Sequence, residues 1–221
     1  MPRISDERRD ARREQVLEAA RACLQEHGLE AVSMEMIIAR SGLSTGAVYG
    51  YFKGKEQLIS AVVTEGTAAL AADLRPILTN PEPPPLPEFV EQALRTIVAF
   101  GGHKGDIDRL LVSLHGWSHS QSDPELKATT RASYSSLRRL LRDVVIRWQA
   151  AGTFDATADP EGLAGLLTSI ALGFVAQRAL TGSADLTGQV AALEALMYGP
   201  SGGSPLAPAH KGASVRTSPD V

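Results

Sequence analysis

The stretch from Ser33 to Leu58, SMEMIIARSGLSTGAVYGYFKGKEQL, leaves few folds open. Ser33 precedes an apolar run and offers its hydroxyl to an amide of a first turn, so a short helix starts at Met34 and carries Met34, Ile37 and Ile38 on its apolar side. Gly42 stands where the chain needs a left-handed residue to close a turn. Ser44 repeats the capping chemistry for a second helix. In that helix Val48 and Phe52, four apart, share a packing face, while Thr45 and Tyr49 share another turned away from the core. Two helices joined by a glycine turn, the second presenting small polar groups and an aromatic hydroxyl, form the helix-turn-helix arrangement that fits the DNA major groove.

The run TGAVYGYFKGKEQL resembles the signature of the TetR family of bacterial transcriptional regulators: Gly46, Ala47, Tyr49, Tyr51, Phe52, Lys55, Glu56 and Leu58 match it directly. The resemblance extends upstream through Ala19-Ala20 and Glu26-His27-Gly28, covering Arg13 to Val63. It implies that Thr45, Gly46 and Tyr49 face the major groove, that Ser44, Tyr51 and Lys55 serve phosphates, and that Ser33 completes the DNA-contacting set. Three positions depart from the pattern. Members usually have a small residue where Ile38 stands, so local repacking is expected; they often have a polar residue in place of Gly50 and Lys in place of Thr45, which puts a phosphate or base contact in question at each.

A chain of 221 residues suits a small DNA-binding unit followed by a larger helical one, and 43% hydrophobic content suffices for a core. The charged start, MPRISDERRDARREQ, is unlike a secretory signal, no uninterrupted apolar run has transmembrane length, and the lone Cys23 excludes an intrachain disulfide framework. A soluble, cytoplasmic protein with no membrane partner is expected. Nine basic and nine acidic residues fall within Met1 to Ser60, and thirteen against sixteen beyond. Wholesale electrostatic coating of DNA is therefore excluded, and binding must rest on placed cations: Arg3, Arg8, Arg9, Arg12 and Arg13, with Lys53 and Lys55.

The remaining pattern is all-α. A first helix is expected from Ser5 to His27, stopped by Gly28, and a long one from Lys55 to Leu78. TNPEPPPLP is a loop, followed by helices from Leu86 or Glu88 to Phe100 and from Gly105 to Ser120. Asp123-Pro124 and Asp159-Pro160 are cap-plus-proline starts, opening helices to Ala151 and Thr181. The Asp159-Pro160 helix is apolar over much of its circumference, which predicts burial on several sides, and is rich in small residues, Gly173 among them. A last helix spans Leu186 to Tyr198, and 199–221 has the composition of disorder. The expected organisation is a three-helix helix-turn-helix domain at 1–54, a helical ligand-binding and dimerisation domain at 55–198, and a tail at 199–221. The resemblance implies dimerisation through the last two long helices.

No constellation for catalysis or metal binding holds. His115 and His119 lie four apart, but the segment between them lacks the glutamate of a zincin motif and no third ligand follows; Asp106 and Asp108 share no helix face. No metal, cofactor or enzymatic activity is expected. Phe100, His103, His115, Trp117, Tyr134, Phe174 and Gln177 place aromatic and polar groups on helices of the larger domain and together resemble the lining of a small-molecule pocket. The function expected is that of a homodimeric repressor released from a palindromic double-stranded operator by a small-molecule effector. A helical binding protein with weakened or lost DNA binding is the alternative.

Overall fold

The computed structural model describes residues 6–102 and 108–198, which hold nine helices and no strand. Arg3, Ser5, His103, Gly105, Asp106 and 199–221 lie outside the described residues, as does the side chain of His115. The helices are α1 (Asp6–Ala31), α2 (Met34–Ser41), α3 (Thr45–Tyr51), α4 (Lys55–Leu78), α5 (Leu86–Gly101), α6 (Arg109–His119), α7 (Pro124–Ala150), α8 (Pro160–Thr181) and α9 (Leu186–Tyr198).

The predicted stop at Gly28 is a kink. Gly28 adopts φ 73°, in the region costly for residues with a Cβ, but helical structure resumes to Ala31. The caps act as their residue types dictate: Asp108, Asp123 and Asp159 each accept from two amides of the following first turn.

Two hydrophobic clusters result. The first gathers Val16, Leu17, Ala20, Cys23 and Leu24 of α1, Ile37 of α2, Val48 and Phe52 at α3, and then Leu58, Ile59, Val62 and Val63 of α4, Val112 of α6 and Leu126 of α7. The packing that holds the first three helices therefore continues past residue 54. Burial of each large apolar side chain here stabilises by about 1.5–3 kcal/mol. The second cluster joins α4, α5, α7 and α8 around Phe89, Leu94, Val144, Trp148 and Phe174. Trp148 meets Phe89 edge-on at 5.1 Å, stacks on Phe154 at 5.5 Å and donates its indole N–H to the Pro84 carbonyl, fastening the proline-rich loop to α7.

The expectation of burial on several sides of α8 does not hold in the single chain. Ala164, Leu167, Thr168, Phe174 and Val175 are buried, but Leu166 is 58% and Leu180 81% exposed, and Leu196 of α9 is 72% exposed. By length and composition α8 would pass for a membrane-spanning helix. Here its buried face packs against α7 and its arginine partners are local: Arg138 and Arg142 of α7 bond Glu161 in its first turn.

Candidate DNA interface and effector region

Ser33 accepts from the Met36 amide and Ser44 from the Ala47 amide, both at 3.3 Å, so these hydroxyls set the starts of α2 and α3. Gly42, at φ 65°, ends α2 in the left-handed region. Ser41 completes the turn by accepting from the Leu43 amide and donating to the Ile38 carbonyl. Ile38 itself is half-buried against the first cluster.

This frame orients α3. Val48 and Phe52 are buried at 0% and 3%, whereas Thr45, Gly46, Tyr49 and Gly50 are exposed. A Cβ at Gly46 or Gly50 would meet nothing within 4 Å, so both leave open surface rather than easing internal packing. Tyr51 is half-buried against the cluster. Lys53 donates to the Tyr49 carbonyl at 3.2 Å, which places its ammonium at the C-terminal end of α3.

Two of the expected cations are engaged inside the molecule. Lys55 donates to the Glu30 carbonyl at 3.3 Å and so closes the end of α1. Arg13 forms an ion pair with Glu65 of α4 while its guanidinium lies 5.4 Å from the Phe52 ring centroid, joining α1, α3 and α4. Its sequence neighbours Arg8, Arg9 and Arg12 are exposed. The Arg40 guanidinium, 2.7 Å from Glu26, ties α2 to α1 and holds the Glu26 carboxyl below its usual range. Cys23 is 2% exposed, and burial pushes its thiol up, the behaviour of a small core residue rather than of a reactive thiolate.

Of the residues expected to line an effector pocket, Phe100, Trp117 and Phe174 share the second cluster and Tyr134 and Gln177 are exposed. Phe174 is buried in the second cluster and Trp117 is half-buried against that cluster; Tyr134, 41% exposed, lies on the surface of α7; Gln177 is exposed and accepts from Gln189 of α9. His119 lies with Lys53 and Lys55 around a broad concavity at the start of α4. Phe100 lines a cavity of about 260 Å³ with Glu14 and Arg21 of α1, Val62, Val63, Glu65, Gly66 and Ala69 of α4, and Arg109 and Val112 of α6. Sequence reading missed this cavity, because four helices distant in the chain converge on it; the one local hint was Gly66 in an otherwise good helix former. Among the described residues no group of three or more His, Cys, Asp and Glu is arranged to hold a metal ion.

Residues 16–62 match the family described as bacterial regulatory proteins, tetR family, and residues 87–197 the C-terminal region of BetI-type transcriptional repressors. The HTH-type transcriptional repressor Rv1474c of Mycobacterium tuberculosis is 35% identical over 72 residues, 33% of this chain and 38% of that protein. The chain thus matches little more than a third of that relative's length. The HTH-type transcriptional regulator BetI of Burkholderia lata is 27% identical over 175 residues, covering 77% of this chain and 84% of its own. Among solved structures, Salmonella enterica GusR superposes with a TM-score of 0.65 at 21% identity over 88% of this chain and 97% of its own. A TetR transcription regulator from Haloarcula marismortui gives 0.68 at 19% over 83% and 94%. With the helix-turn-helix formed by α2 and α3, its outward face open and two successive family matches along its length, the chain belongs to the tetR family of bacterial regulatory proteins.

Proposed function

We propose that the chain acts in the cytoplasm as a homodimeric repressor, released from a palindromic operator by a small molecule, without catalytic activity. Residues 1–54 read DNA in this scheme and 55–198 bind effector and dimerise. The observation that carries the reading is the division of α3: Val48 and Phe52 are locked into the core while Thr45, Gly46 and Tyr49 stand outward on a rigidly capped helix. Thr45, Gly46 and Tyr49 enter the major groove, and Ser33, Ser44, Tyr51 and Lys55 lie along the backbone; Lys55 reaches a phosphate only by exchanging the Glu30 carbonyl for it. Dimerisation is supported by the uncovered apolar side chains of α8 and α9. Two copies related by a two-fold axis would present two α3 helices to the half-sites of a palindrome.

Release follows from linkage. An effector that favours a spacing of the α3 helices unsuited to the operator, with about 1–3 kcal/mol of coupling, weakens DNA affinity roughly 5- to 150-fold. Retention of the DNA upstream of its own gene by the purified protein, followed by fluorescence anisotropy, tests the reading. Specific retention by a dimer is expected. Equal affinity for that DNA and for unrelated duplex at the same salt would overturn it.

A further inference from the structure

The centre of the second cluster is not filled. Between α4, α5, α7 and α8 lies a cavity of about 40 Å³, and none of the twelve side chains that line it carries a nitrogen, oxygen or sulfur atom. Protein interiors hold few voids larger than a water molecule, so a void of this size beside Phe89 and Leu94 forgoes contacts that larger side chains would have made. Water does not make good the loss, because a buried water needs two to four polar partners and the lining side chains offer none. Eight of the lining residues are buried, whereas Ala93, Leu137, Ile170 and Ala171 are half-buried and mark the side toward solvent, between α5, α7 and α8. Leu74 and Leu78 of α4 form the opposite wall. That wall is the weaker one: Pro76 stands between them inside α4, so the helix lacks one amide hydrogen bond there, and its end is tied to α7 by the bond from Arg147 to the Leu78 carbonyl.

We propose that this cavity is the effector site and that it takes an uncharged molecule with a short unbranched hydrocarbon chain, the chain filling the cavity and any hydroxyl staying at the mouth. This rests on the reading of the protein as a ligand-released repressor and assigns that ligand a place and a chemical class. A carboxylate or ammonium carried between such walls would lose its hydration and gain no partner, which excludes ions. The volume accommodates about three water-sized groups, which suits a straight chain and not a branched one. The position of the cavity supplies the coupling. α4 begins at Lys55, after the reading helix, and its last turns form one wall; Leu167 of α8 lines the cavity while its neighbour Leu166 stands outward among the apolar side chains assigned to the dimer contact. A chain that presses α4 away from α8 therefore changes how α3 is set relative to the two-fold axis.

The test uses the full chain with butan-1-ol, pentan-1-ol and hexan-1-ol, each compared with the carboxylate and the amine of the same chain length, by titration calorimetry at millimolar ligand. At least one alcohol should bind ten-fold or more tightly than both ions of its length, and pentan-1-ol ten-fold more tightly than its branched isomer 2-methylbutan-2-ol. Ala171→Val fills the cavity from its half-buried side and should lose this binding. Leu137→Ala enlarges the cavity and should move the preferred chain to a longer one, an outcome that a damaged fold does not produce, so this variant carries the test where Ala171→Val fails to fold. Absence of binding by all three alcohols, an ion that binds as tightly as its alcohol, undiminished binding in Ala171→Val, or an unchanged chain-length preference in Leu137→Ala would overturn the assignment. Operator release is read separately: an alcohol that binds but leaves DNA affinity unchanged overturns the release reading alone, while an effector that releases wild type and Ala171→Val equally overturns this site alone.

Discussion

Val63 of α4 and Gly116 of α6 approach so closely that a Cβ placed on residue 116 would lie 2.5 Å from Val63 Cγ2 and 2.7 Å from Cγ1. Because the obstructing atoms belong to a β-branched side chain with little χ1 freedom, the neighbour cannot swing aside. Gly116→Ala should therefore destabilise the fold by about 1–3 kcal/mol despite the better helix propensity of alanine. Val63→Ala in the same chain should recover part of that loss. Urea denaturation of the two single variants and the double variant checks it: additive losses would mean that the two residues do not meet.

The exposed part of the interface makes a different kind of prediction. Lys53→Ala should weaken specific and nonspecific DNA alike and lower the slope of log affinity against log salt by about one unit, as loss of one phosphate contact does. Tyr49→Ala, on the outward face of α3, should change which operator bases are preferred while leaving the salt slope in place. Binding measured between low and moderate salt on operator variants separates the two signatures.

For Lys55→Ala the bond to the Glu30 carbonyl implies a mixed outcome. Thermal stability should fall slightly as the end of α1 loses its closure, and DNA affinity should fall with it. A variant whose DNA affinity drops with no change in melting temperature would show that the ammonium serves phosphate alone.

Leu180→Glu and Leu166→Glu alter side chains that are 81% and 58% exposed in the single chain. Neither should harm the fold of a protomer, yet each should move the mass in sedimentation from dimer to monomer at micromolar concentration. Operator binding should become weak in parallel, since each half-site then binds alone. An unchanged dimer in both variants would place the interface elsewhere.

Ser44→Ala removes the acceptor that orders the first turn of α3 and should cost about 1 kcal/mol. Ser44→Asp should retain the cap. Stability of the two variants, compared by denaturant midpoint, distinguishes a capping role from a phosphate contact, which Asp would repel.

Local signals were legible in the sequence: serine and aspartate caps, Gly42, and the i to i+4 relation of Val48 and Phe52 all depend on neighbours within a turn or two. Placement of Arg13 and Lys55 was not, because their partners Glu65 and the Glu30 carbonyl are set by how α1 packs on α4. The expected pocket set divides for the same reason: Phe100, Trp117 and Phe174 share the second cluster, while Tyr134 and Gln177 are exposed. Aromatic and polar residues on several helices give a composition, but only tertiary packing decides that Tyr134 faces outward while Phe174 is enclosed. The apolar circumference of α8 predicts burial on several sides but not by what, and within one chain Leu166 and Leu180 stay uncovered.

Val112 and Leu126 sit in the same cluster as Val48 and Phe52. The reading head is consequently not a detachable part. A chimera that joined residues 1–54 to the effector half of another regulator would place its core against foreign side chains, and a fragment cut at that point would expose the surfaces that Leu58, Ile59, Val112 and Leu126 now cover. Exchange of DNA specificity between such regulators is better sought by rewriting the outward residues of α3 within one scaffold than by grafting whole heads. Where grafting is attempted, α6 and the first turn of α7 have to travel with the head.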